Sequence, residues 1–264
     1  IFPSEENLRD LHDAAWETYI TFCRSYDSVF DILHEEYSRA VEQIGVVSRE
    51  KKHFADPDEH LAKHLMAFYW RGKLNLQESG GILARFFSRA PDKLRRCALE
   101  FVGRSLYNTK DVVVPQVLDL LQALWVERIN AARGVTSPTL HAAELAAFGW
   151  WFASAKFDDV WAVTQLKEAL TLAGVVEPDY LVLERLATLA GATPALAVQC
   201  LDLIIEGDKE GWRILGWREH ARTILACALR STDDKARQVA FALVNRLCAR
   251  GYLDFRDLLS GRKS

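Results

Sequence analysis

Few residues in this sequence are placed to do chemistry, and their spacing decides what chemistry each set allows. Glu59, His60 and His64 fall in the run EHLAKH, where two imidazoles four residues apart share a helix face and can hold one transition metal. The acid precedes the first histidine, unlike HExxH, and the nearest further ligand in sequence is His53. Solvated side chains in the first turns of a helix are the plainer reading of His60 and His64, so no metal and no cofactor is expected. Ser79-Gly80-Gly81 stands where a helix should begin, a place whose free N–H groups receive anions. Neither GxxxxGK[ST] nor a strand-borne GxGxxG accompanies it, and paired glycines also let two helices approach closely. His141 and Glu144 are spaced as a base and its orienting carboxylate would be, yet no serine or cysteine is placed beside them as a nucleophile. No catalytic residue is assigned.

Aromatic and basic residues offer more. The eight tryptophans include the clusters Phe68-Tyr69-Trp70, Trp150-Trp151-Phe152 and Trp212/Trp217. Large rings anchor cores and binding grooves alike. Trp150 and Trp151 point about 100° apart on a helix, so either that helix is surrounded or one ring lines a partly exposed groove. Trp212, Arg213, Trp217, Arg218 and Arg222 combine rings and cations and are the expected partner-binding surface. A basic face for nucleic acid is the alternative, built from Lys93, Arg95, Arg96, Arg104, Arg213, Arg218, Arg222, Lys235, Arg237 and Arg246. Interspersed acids argue against it, since basic residues on a helix often form a solvated face.

The elements that position these residues must be helices. Of 264 residues, half are hydrophobic and 26% charged, enough for a large core, while seven prolines and fourteen glycines are too few for a turn-dense all-β chain. The most apolar run, Ala146 to Ala155, is ten residues long, too short to span a membrane. Five single cysteines without CxxC read as reduced, buried small hydrophobes, and the acidic N-terminus lacks a leader pattern; a cytoplasmic setting is expected. The start at Ile1 suggests a piece of something longer. Charge is uneven: residues 1–60 carry fourteen acids against six bases, whereas Lys209 to Lys263 holds twelve bases against six acids, net +6.

Pro57, Pro91, Pro115, Pro138 and Pro194 each follow or form a helix-start signal, and apolar residues recur at three and four between them. About twelve helices are predicted, over 5–23, 27–46, 58–71, 79–88, 91–107, 114–133, 138–155, 159–173, 178–190, 194–206, 212–229 and 232–250, with a turn near 254–260. DKLRRCALEFVGR (Asp92 to Arg104) aligns without gaps to DKARQVAFALVNR (Asp234 to Arg246) with six identities, and Thr193 to Gly207 lies about 39 residues before Thr232 to Gly251. This pattern of capped helices with Val/Leu/Ala inner faces, over residues 55 to 250, resembles the inner-row helices of HEAT and armadillo repeats. The resemblance implies an all-α fold of antiparallel pairs stacked as a right-handed solenoid over 55–264, with the acidic 1–54 as a helical hairpin capping the stack or continuous with it. The block His64 to Leu106 is also similar to helical C-terminal segments of large bacterial proteins, some of them in phage defence. That likeness implies a sensor or scaffold role toward a protein partner or upstream domains. The expected function is non-catalytic recognition, with nucleic-acid binding and an unrecognised enzyme as alternatives, and no membrane partner.

Overall fold

The computed structural model describes residues 57–70, 82–135, 137–208, 211 and 214–260. The helices expected over 5–23 and 27–46, and the acidic cap 1–54, lie outside the described residues. Among the described residues every regular element is helical and no strand occurs. The chain divides into two compact units, Ile1–Ala98 and Leu99–Ser264.

In the first unit, α1 (Pro57–Trp70) and α2 (Ile82–Arg89) precede α3 (Asp92–Asn108), within which the division falls. Ala62, Leu65, Met66 and Tyr69 recur at three and four along α1 and are all buried, as are Leu83, Phe86 and Phe87 on α2. The Phe86 and Phe87 rings meet edge to face, 5.1 Å apart.

The second unit continues from α3 through α4 (Pro115–Arg133), a 3-10 turn (Pro138–His141), α5 (Ala142–Ala146) and α6 (Phe148–Ala153). It goes on through α7 (Asp159–Ala173), α8 (Asp179–Leu189), α9 (Pro194–Gly207), α10 (Ile214–Arg230) and α11 (Asp234–Ala249) to a second 3-10 turn (Leu253–Phe255) and α12 (Asp257–Ser260). Helices two apart in sequence pack on one another: α5 on α7, α7 on α9 and α9 on α11, and likewise α6 on α8 and α8 on α10. Helices α7, α9 and α11 begin 35 and 40 residues apart.

Local chemistry explains the boundaries. The carboxylate of Asp158 accepts the Trp161 amide at 2.9 Å, and Asp233 accepts those of Lys235 and Ala236 at 2.8 and 3.4 Å. Gly174 ends α7 at φ 72°, and its carbonyl lies so close over Gly207 that no side chain fits there. Ser137 and Thr193, which precede Pro138 and Pro194, make no side-chain cap: their hydroxyls bond Thr139 Oγ1 and the Leu189 carbonyl.

The helix expected over 138–155 is broken into three pieces. The amide of Glu177, from the loop after α7, donates to the Ala146 carbonyl at 2.9 Å and takes it from the helical ladder. Gly149 then accommodates the cis Glu177–Pro178 peptide, whose carbonyl carbon would sit 2.5 Å from any Cβ at that position. Around the break the aromatic core assembles. Trp125 stacks on Phe148 at 4.3 Å, Trp151 on Phe157 at 5.9 Å, and Trp161 packs against Phe157 at 5.0 Å. Trp151 also donates its indole N–H to the Leu99 carbonyl at 2.7 Å. Of the cysteines expected to be buried, Cys200 is, whereas Cys97, Cys227 and Cys248 are half-buried because they sit at the edges of their helices' apolar stripes.

Candidate functional site

The expected partner surface is only partly present as pictured. Trp212 and Arg213 lie outside the described residues. Trp217 is 3% exposed, so it is a core ring and not a surface anchor; α10 kinks there, with φ −126° and ψ 23°, and the Trp217 Nε1 has no partner among the described residues. Arg218 and Arg222 do reach the surface, and both turn onto the C-terminal segment. Arg222 forks onto Asp257, with Nη1 at 3.1 Å from Oδ1 and Nη2 at 2.7 Å from Oδ2, and also donates to the Asp254 carbonyl at 2.5 Å. Arg218 Nε meets Asp254 Oδ2 at 3.2 Å. This hydrogen bonding raises the Arg222 pKa above its ordinary value and lowers that of Asp257. Between the two acids, Phe255 is fully buried, and its 3-10 turn packs on α11 while α12 packs on both α10 and α11. Tyr252 ties the start of this segment to the Gly211 carbonyl.

A second surface feature lies where α3 meets α6. Trp151 is buried and its neighbour Trp150 half-buried, so the adjacent pair divides between core and surface as their angular separation dictates. Tyr107, 41% exposed, meets the Trp150 ring edge-on at 5.6 Å, and the Arg104 guanidinium lies 4.6 Å over that ring. Lys156 donates to the Asp111 carbonyl at 3.1 Å, drawing in the α3–α4 loop that carries the exposed Val112 and Val114.

The predicted basic face is largely occupied by internal work. In the two aligned helices the arginine of the DK-x-R pattern folds back over its own helix start. Arg95 is buried, donates to the Ala90 carbonyl at 2.5 Å and lies 3.7 Å from Asp92. Arg237 likewise donates to the Ser231 carbonyl at 2.6 Å and pairs with Asp234. Similar sequence makes a similar local latch, and Arg95 is no part of an open basic face. Arg104 pairs with Glu100 at 2.5 Å, and Arg246 pairs with Asp202 and Glu206. Lys93 stays exposed near Glu59 at 3.8 Å, Lys235 is exposed and Arg96 half-buried.

His141 and Glu144 do come together, and with a residue the sequence did not single out. Glu144 is fully buried; Arg128, from α4, donates Nε to its Oε1 at 2.5 Å, and His141 Nδ1 lies 2.9 Å from Oε2. Arg128 also reaches Glu127 at 3.1 Å. The network joins three elements and has the form of a structural clamp. Arg185 is a further buried cation: it donates to the Phe152 carbonyl and to Asp159 at 2.8 Å, and burial lowers its pKa against the opposing pull of Asp159. Cys200 is held as a thiol, its pKa pushed up to about 12 by burial. His60 and His64 both lie on α1, their side chains outside the described residues. Among the described residues no group of three or more His, Cys, Asp or Glu side chains is placed to hold a metal, and no helix is long and apolar enough to cross a membrane. Comparison with protein-family models, with curated proteins and with solved structures finds no match to this chain.

Proposed function

We propose that this chain is a non-catalytic recognition scaffold built of HEAT-like helical pairs, whose partner is a protein or another domain of a larger assembly. The pairing of α7, α9 and α11 with one another, at starts 35 and 40 residues apart, supports stacked two-helix units. The observation that carries the recognition role is the platform of Arg104, Tyr107 and Trp150, which leaves on the surface the three residue types that most often anchor protein interfaces. Its cation is already used over the indole, so the platform offers a partner apolar ring area with a charged rim. Nucleic acid is the weaker reading, because Arg104, Arg218, Arg222, Arg237 and Arg246 each face a carboxylate within the chain.

The test is capture from a lysate of the source cells on the immobilised full chain and on its Tyr107→Ala/Trp150→Ala variant. Specific proteins retained by the native chain in 0.5 M salt after nuclease treatment, and lost by the variant, support the reading. Equal capture by both chains, or capture that nuclease or salt abolishes, would falsify it.

A further inference from the structure

We infer that the Arg218/Arg222 face of α10, with the adjoining seat of Phe255, is a docking site for an acidic peptide segment of a partner protein, occupied in this structure by the chain's own residues 252–260. Four observations converge on it. First, the recognition is of a readable kind: two guanidiniums four residues apart meet carboxylates three residues apart, one of them through a two-pronged fork, with a buried aromatic anchor between the acids. Second, the bonds are exchangeable. The Arg222–Asp257 side chains are 26% and 64% exposed and the Arg218–Asp254 side chains 40% and 37%, so water and salt compete for both pairs.

Third, the receiving side is not fully settled. Trp217, next to Arg218, holds a buried indole N–H with no partner among the described residues, at a non-helical point of α10, a group that a rearrangement on binding would satisfy. Fourth, the stretch Lys209 to Lys263 is net +6 even with Asp254 and Asp257 included, and such a field draws acidic partners to this part of the chain. The occupant that fits is a short segment with the pattern of this one, Asp-Phe-Arg-Asp. The tethered copy competes with it at the high effective concentration that a covalent link confers. The inference does not depend on the Trp150 platform, which lies on other helices of the unit.

The probe is a fluorescein-labelled peptide of residues 253–260, LDFRDLLS, titrated by anisotropy into the full chain. Three hosts are compared: the native chain; a vacated Asp254→Asn/Phe255→Ala/Asp257→Asn variant; and the vacated variant carrying Arg222→Ala. The vacated chain is expected to bind at least tenfold more tightly than the native chain, and Arg222→Ala to remove at least tenfold of that gain. A peptide with both aspartates changed to asparagine should not bind. Circular dichroism reports whether each host keeps its helices. If the triple variant does not fold, Asp254→Asn/Asp257→Asn, which keeps Phe255, carries the same comparison. A folded vacated host that binds no better than the native one, binding indifferent to Arg222, or equal binding of a scrambled peptide overturns the inference. Collapse of both vacated hosts does so too, because it would make the segment an obligatory part of the core.

Discussion

The Leu99–Ser264 unit contains two arginine–carboxylate networks made from the same groups and set in opposite surroundings. Around Glu144, Arg128 and His141 are nearly sealed from water, and their bonds join α4, the first 3-10 turn and α5. Around Asp254 and Asp257, Arg218 and Arg222 make contacts of 3.2 and 2.7 Å at the surface, tying a short terminal segment to α10. Bond lengths differ by only a few tenths of an ångström; exposure to solvent differs far more. A buried pair carries a large desolvation cost that only its complete geometry offsets, so losing one member leaves a charge stranded. An exposed pair exchanges one set of hydrogen bonds for another with water, and either partner can be replaced. The first network therefore holds the fold, and the second can be used for binding.

The largest effect follows from breaking the buried network. Glu144→Ala takes from Arg128 its fully buried counter-charge and should cost about 3–5 kcal/mol, read as a large fall in the urea midpoint. Arg128→Met combined with Glu144→Leu removes both charges together and should recover most of that loss. If the double variant is as unstable as the single, the network contributes more than charge compensation. Arg185 tests an intermediate case, since it donates both to the buried Phe152 carbonyl and to the exposed Asp159. Arg185→Met should cost about 1–3 kcal/mol, because the Phe152 carbonyl loses its charged donor and keeps only the Ala155 amide at 3.3 Å, and Asp159→Asn much less.

This division between fold and site also marks what the sequence makes legible. Helices α4, α7, α8, α9 and α11 lie within two residues of their expected bounds, because proline at the first turn, aspartate caps and apolar spacing are all local signals. The break inside 138–155 is invisible locally: it depends on the Glu177 amide reaching Ala146 across the α7–α8 connection. Arg218 and Arg222 were recognisable as surface cations, but not their partners. The only hint was numerical, in that acids at 254 and 257 repeat, one residue shorter, the spacing of cations at 218 and 222. Trp217 is ambiguous in sequence because a ring next to arginine has the same signature in a groove as in a core. Arg128 carries no sequence signal because one arginine in an amphipathic helix is ordinary, and only the turn that brings Glu144 over it makes it special.

Titration sharpens the same contrast without disturbing any pair. Cys200 is buried with no opposing charge strong enough to ionise it, so its native pKa of about 12 lies above the ordinary 9.0. A raised native value means stabilisation that is complete below 9.0 and is lost progressively as pH rises toward about 12. The native chain should lose about 1.4 kcal/mol per pH unit across that window relative to Cys200→Ala, measured by urea unfolding from pH 8 to 10.5. The same burial should make Cys200 the last of Cys97, Cys200, Cys227 and Cys248 to react with an alkylating reagent. Equal slopes for the two chains would mean that water reaches the thiol.

The smallest effect belongs to the exposed network, and its smallness is what the docking inference requires. Asp257 has its carboxyl pKa lowered by the hydrogen bond from Arg222, so its contribution is present above the ordinary 3.8 and is lost as pH falls through the lower native value. Asp257→Asn should lower the melting temperature only slightly at pH 7, and that difference should disappear on the acid limb, below about pH 4, where the native carboxyl is itself protonated. That difference should shrink in 1 M salt, since the pair is open to water. Melting curves from pH 3 to 7 at two salt concentrations check both statements. A large loss at pH 7 would place Asp257 in the same class as Glu144, and a segment fixed that firmly could not yield its place to a partner.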